Sequence, residues 1–318
     1  MASTQNNTTD LLEKLKQELR AGDSWATPKV ALICEEIDKA FWKCQDKAEF
    51  TQFFCDCGGP ELLVSILKKF DEDGLFSAWE TASIIYNCLC NMSEASLPLS
   101  VQLGLQGMVK LCANNIVKYA EKMHLKDVQD LVRISLSILC NLSTAPNNRV
   151  IFRQEGVAEK MQPYLAGDPF LKSICMITLS CIAEEGQEAT LAQQGTDTTE
   201  YLVRILKDAI RSPDRRYRGL CDREIALALG RLAVHDGNKF KIIEGGGLPL
   251  LVEMLKFDNA HSQQAAADTI KALALSAGLR QRLQEDVDCM RALESLSQST
   301  DTSISDAAKG ALWVIRHG

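Results

Sequence analysis

The side chains best suited to grip an anion are crowded into one run, RSPDRRYRGLCDREIALALGR, at Arg211–Arg231. Arg211, Arg215, Arg216, Arg218 and Arg223 stand around Tyr217. A guanidinium fork pairs bidentately with a carboxylate or phosphate, and a tyrosine ring stacks on a flat partner. Ser212, Pro213 and Asp214 punctuate the run and predict a loop ahead of a helix, with Arg231 farther along that helix. Asp214, Asp222 and Glu224 support the opposite reading, a solvated loop whose charges cancel locally.

Other reactive residue types form no constellation. Cys55/Cys57 and Cys88/Cys90 are two apart, so on a helix they point in different directions, and no CxxC or nearby histidine pair completes a metal site. His124, His235, His261 and His317 are scattered. There is no HExxH, nucleophile motif, P-loop or dinucleotide fingerprint. The glycines Gly245–Gly247 follow a helical pattern rather than a strand, which makes them an inter-helix turn and not a phosphate cradle. The expectation is a protein without catalytic residues, metal or cofactor.

Composition narrows the partners. A net charge of −7 argues against broad electrostatic binding to nucleic acid or anionic membranes. The polar start MASTQNNTTD is no signal peptide, and no apolar run reaches membrane-spanning length. The 12 cysteines sit mostly inside apolar helical runs, among them Cys88, Cys140, Cys175 and Cys181, as reduced core residues do. A cytoplasmic location is the expectation that follows.

The elements that must position these side chains are helices in a repeating order. The clearest repeat is NKFKIIEGGGLPLLVEMLKFDNAHSQQAAADTIKALA at Asn238–Ala274. A short helix ends at three glycines, and a second starts near Pro249 with Leu250, Leu251, Met254 and Leu255 at helical spacing. A third, from about Ser262, carries Ala266, Ala267, Ile270, Leu273 and Ala274. The same turn recurs at Gly58–Pro60, Gly107, Gly156 and Gly195, while the last unit keeps Val287 and Met290 but has no glycine. Each turn is followed by a long helix: AWETASIIYNCLCNMS, DLVRISLSILCNLS, FLKSICMITLSCIA, CDREIALALGRLA, SQQAAADTIKALA and SISDAAKGALWVI. A unit this thin cannot bury its apolar faces alone, so units must stack. Residues 1–27 are read as a polar tail with an amphipathic helix and residues 28–318 as the stacked array, with a long loop around Ala113–Asp130.

The E-G-G-x-P-x-L-V-x-x-L middle, carried by Gly245, Pro249, Leu251, Val252 and Leu255, and the L-x-N-L-S ending at Leu139, Asn141, Leu142 and Ser143 resemble armadillo repeats. Asn238 and Ile242 fit the repeat's start. The resemblance covers residues 28–318 and implies an all-α fold. It would be a right-handed armadillo/HEAT-like helical solenoid of about six repeats with an N-terminal capping helix region.

In peptide-binding members an asparagine near the end of each third helix holds the ligand backbone, since an amide both donates and accepts. Asn91 and Asn141 match that position; Cys181, Arg231, Ala272 and Trp313 occupy it later. Capping of their own helix ends is the alternative role for the two asparagines. Asn87 and Ser137 stand one turn earlier, where nuclear-import adaptors carry tryptophan, which argues against that branch.

The resemblance implies a non-enzymatic scaffold holding an extended protein segment or a folded domain. Asn91 and Asn141 would capture the backbone; Arg231, Arg215, Arg216 and Arg218 would select acidic groups. The chain is also similar to the armadillo segment that precedes a TIR domain in some signalling proteins. That similarity implies, as the alternative, a sensor module for a nicotinamide nucleotide.

Overall fold

The computed structural model describes residues 2–21, 25–182 and 198–318; the expected turn at Gly195 lies outside them. The chain divides into two compact units, Met1–Ala166 and Gly167–Gly318. Among the described residues no helix is long and apolar enough to cross a membrane.

Unit one opens with α1 (Ala2–Ala21) and α2 (Pro28–Lys43). Pro28 takes the first helical position of α2, and the Thr27 hydroxyl accepts from the Val30 N–H at 3.2 Å. Two short–short–long triplets follow: α3 (Lys47–Asp56), α4 (Gly59–Asp73) and α5 (Trp79–Ala95), then α6 (Leu97–Leu105), α7 (Met108–Lys118) and α8 (Lys126–Ser143). Helices α9 (Arg149–Gln154) and α10 (Val157–Met161) begin another. The long helices form a series, α2 against α5 and α5 against α8. Much of the loop expected around Ala113–Asp130 is helix, because Ala113 and Ile116 are fully buried and carry α7 through to Lys118.

Unit two contains α11 (Pro169–Ile182), α12 (Thr198–Arg211), the strands β1 (Arg216–Tyr217) and β2 (Leu220–Cys221), and α13 (Asp222–Leu232). Two triplets follow: α14 (Asp236–Glu244), α15 (Gly247–Leu255) and α16 (Ala260–Ala274), then α17 (Ala277–Glu285), α18 (Val287–Leu296) and α19 (Thr302–His317). Here the long series runs α11, α13, α16, α19, each packed on the one before. Small residues set the close approach of α13 and α16. A Cβ at Gly230 would lie 2.9 Å from the Thr269 hydroxyl, which itself donates to the Ala226 carbonyl at 2.9 Å.

The repeat turn has one physical cause. Gly58, Gly107, Gly156 and Gly246 join the first to the second helix of a triplet with φ between 58° and 86°, a conformation that side chains other than glycine adopt only with strain. The last triplet reaches the same junction by another route. Asp286 keeps φ at −78° and its carboxylate accepts from the Cys289 N–H at 2.9 Å, so a side-chain cap does the work of the glycine.

A second recurring tie binds one repeat to the next. Asn148 donates its side-chain amide to the Leu142 carbonyl at 3.0 Å and the Ser100 carbonyl at 2.9 Å. Asn238 does the same to the Leu232 carbonyl at 3.1 Å. In both cases the asparagine at the start of a triplet adds a second donor to a carbonyl at the end of the long helix, which also accepts a backbone N–H three residues on.

Candidate binding cleft

A concavity of unit one lies between the long helices α5 and α8. Its volume is about 400 Å³, and its lining comes from Trp79, Ser83 and Asn87 on α5 and Arg133, Ile134 and Ser137 on α8, with Asp130 at the edge. The spacing explains the lining: 79, 83 and 87 are one helical turn apart, as are 130, 133/134 and 137, so each set forms one stripe. The opposite stripes are apolar and buried, with Ala82, Ile85, Tyr86 and Leu89 on α5 and Leu131, Val132, Leu136 and Leu139 on α8.

The polar groups of the cleft are braced on their own helices. The Ser83 hydroxyl donates to the Glu80 carbonyl at 2.8 Å, the Asn87 amide to the Ser83 carbonyl at 2.8 Å and the Ser137 hydroxyl to the Arg133 carbonyl at 3.0 Å. These bonds fix the side chains and use donors, leaving the serine hydroxyl oxygens as acceptors. Asp130 is paired with Lys126 at 2.9 Å. The cleft therefore combines an indole, a guanidinium, an amide and two hydroxyls on rigid helices. That set can bind a peptide backbone or a small flat ligand.

The asparagines singled out from sequence lie one turn beyond this lining and are turned toward the preceding repeat. Asn141 is 9% exposed, and its amide donates to the Cys90 carbonyl at 3.0 Å and the Ser93 hydroxyl at 3.1 Å. Asn91 donates to the Asp38 carboxylate of α2, as does Trp42. Burial raises the Asp38 carboxyl above its ordinary range, and these two donors oppose the rise. Both asparagines thus tie long helices together.

In unit two the arginine run folds as a two-stranded antiparallel hairpin rather than an irregular loop, with Tyr217 opposite Leu220. The turn residues Arg218 and Gly219 have φ of 53° and 99°, as the two central residues of a type I′ turn require. Arg215 lies with its guanidinium 4.0 Å from the Phe257 ring centroid, and Arg216 bonds the Gly219 carbonyl. Arg231 is exposed in the last turn of α13. It stands about 14 Å along the helix from Asp222, so it and the hairpin occupy opposite ends of α13.

No family model and no curated protein matches the chain. Solved structures do. A designed armadillo repeat protein is 17% identical, with 74% of this chain and 94% of that one covered at a TM-score of 0.50. An engineered protein is 21% identical over 81% of this chain and 99% of its own, also at 0.50. The fold is of the armadillo type. In armadillo terms α5, α8, α13, α16 and α19 are third helices, and the cleft lies on the third-helix surface of unit one. The residues that line it beyond Asn87 and Ser137 (Trp79, Ser83, Arg133 and Ile134) were not picked out from sequence. The signal that finds them is the four-residue spacing running back from Asn91 and Asn141.

Proposed function

We propose that this armadillo-type chain is a non-enzymatic scaffold that holds an extended segment of a partner protein in the α5–α8 cleft. The observation that supports this is the rigid, mixed lining of that cleft. In it Asn87 reads the peptide backbone, Trp79 and Ile134 cover an apolar side chain, and Arg133 pairs with a carboxylate of the segment. Asn91 and Asn141 serve as the ties that hold α2, α5 and α8 at the spacing the segment needs. Peptides selected from a random library on the full chain test this: they should lose binding to an Asn87→Ala/Arg133→Ala variant, and unchanged affinity would sink the assignment.

One feature favours a second reading at the same place. Trp79 and Arg133 across a concave cleft suit a ring and a phosphate, as in a nicotinamide nucleotide, and would make the chain a sensor module. A ligand that binds only the folded state raises the melting temperature with concentration. A nicotinamide mononucleotide titration to millimolar levels that leaves the melting temperature unmoved rules this reading out.

A further inference from the structure

We propose that a second concavity of unit one, between α2 and α5, is a site for a lysine or arginine side chain of a partner protein. Its volume is about 340 Å³. It is separate from the α5–α8 cleft and does not depend on that reading. Trp79, Ser83 and Asn87 of α5 line the cleft, whereas Glu80 and Thr81 line this cavity. Successive residues of a helix point about 100° apart, so α5 stands between the two concavities.

The two helix starts bring apolar surface and carboxylates together. The Thr27 cap and Pro28 begin α2, and its first two turns supply Ala31, Leu32 and Glu35. The first turn of α5 supplies Glu80 and Thr81. Pro28, Ala31 and Leu32 make a wall against which an aliphatic stem can lie, and Leu32 is 57% exposed, so nothing in the chain itself covers that wall.

The polar groups select the head of the ligand. Among the described residues no cation pairs with the Glu80 carboxylate, and no group hydrogen-bonds the Thr81 hydroxyl. Thr81 is only 5% exposed, and a buried hydroxyl without a partner carries a cost that a ligand group can relieve. Glu35 is held by Lys39 at 3.3 Å, but the same ammonium lies 3.0 Å from Glu36, so one cation serves two carboxylates. Lys29 is taken by Glu18 at 3.3 Å. The rim of the cavity therefore keeps an excess of negative charge.

A cation on an aliphatic stem answers both features. A carboxylate or phosphate would face Glu35 and Glu80 at close range. A purely apolar side chain would cover Leu32 but bury Glu80 and Thr81 without partners. Lysine or arginine lays its methylenes on Leu32 and brings its donors to Glu80 and Thr81.

The test is fluorescence anisotropy of the full chain with three labelled decapeptides: an Arg-Gly repeat, a norleucine-Gly repeat that keeps a stem without charge, and a Glu-Gly repeat. Only the arginine peptide is expected to bind. Glu80→Gln should weaken it about 2- to 5-fold, the worth of one exposed pair. Glu253→Gln, which removes the same charge from an exposed position on α15, should not. Thr81→Val keeps the shape and removes the hydroxyl, and is expected to weaken the peptide while the melting temperature holds. Asn87→Ala/Arg133→Ala should not weaken this binding, which separates the cavity from the cleft. Absence of arginine-peptide binding, equal losses from Glu80→Gln and Glu253→Gln, or full affinity in Thr81→Val overturns the proposal. Displacement of the label by putrescine as readily as by unlabelled arginine peptide makes the site one for a free amine and overturns it too.

Discussion

Asn141 on α8 donates its side-chain amide to the Cys90 carbonyl of α5 at 3.0 Å and so fastens one long helix to the next. The Ser93 hydroxyl, 3.1 Å from the same nitrogen, completes the tie. The consequence is a division of labour along α8. Its end joins repeats, and the two turns before it, with Ser137, Ile134 and Arg133, line the cleft.

Asn141→Ala is therefore expected to lower stability. It removes two hydrogen bonds, to the Cys90 carbonyl and the Ser93 hydroxyl, a loss of about 1–3 kcal/mol. Urea denaturation followed by circular dichroism measures it; a variant as stable as the native chain would mean that the tie carries nothing.

Asn148→Ala should cost a similar amount, about 1–3 kcal/mol, because two buried hydrogen bonds, to the Ser100 and Leu142 carbonyls, are lost. Asn148→Asp, which keeps the shape but not the donor, is expected to be at least as damaging. Thermal melts of the two variants side by side check the order.

The repeat turn gives a contrast between two glycines. Gly107, at φ 86°, should be destabilised by alanine by about 1–2 kcal/mol. Gly237, in the first turn of α14 with nothing within 4 Å of an added Cβ, should tolerate alanine or gain from it, by up to about 1 kcal/mol. Equal effects in a melting experiment would contradict the left-handed turn.

Much of this organisation is legible in the chain. The glycine at the head of each second helix and the apolar spacing of the third helices are local signals, and they reappear as the turns at Gly58, Gly107, Gly156 and Gly246 and as the buried stripes. What Asn141 touches is not local. An asparagine near a helix end has the same sequence context whether it faces a ligand or the neighbouring repeat, and only the packing of α5 on α8 decides. The hairpin is hidden for a different reason. Its strands are two residues each, too short to show alternation, and its turn pair is Arg218-Gly219 rather than Asn-Gly. The stripe Trp79, Ser83, Asn87 that lines the cleft has regular helical spacing, a local signal, whereas its pairing with Arg133, Ile134 and Ser137 depends on how α5 packs on α8.

Asp38 ties stability to pH. Its carboxyl is raised by burial, so the folded state binds the proton more tightly than the unfolded chain does. This group therefore favours folding at acidic pH, and that contribution falls away as pH rises from the ordinary carboxylate range through the raised value. Asp38→Asn, which removes the buried charge, is expected to raise the melting temperature at pH 7 and to gain less at pH 3.5. A larger gain at pH 3.5 would reverse the sign and refute the burial argument.

We propose that a partner segment is held on the third-helix surface between α5 and α8. Isothermal titration of a library-selected peptide into the native chain and into Asn87→Ala/Arg133→Ala tests it most directly. Affinity at least about 10-fold weaker in the variant is expected, since a bond to a charged group and one to an amide are both removed, with the melting temperature unchanged. Equal affinity for the two proteins would contradict it.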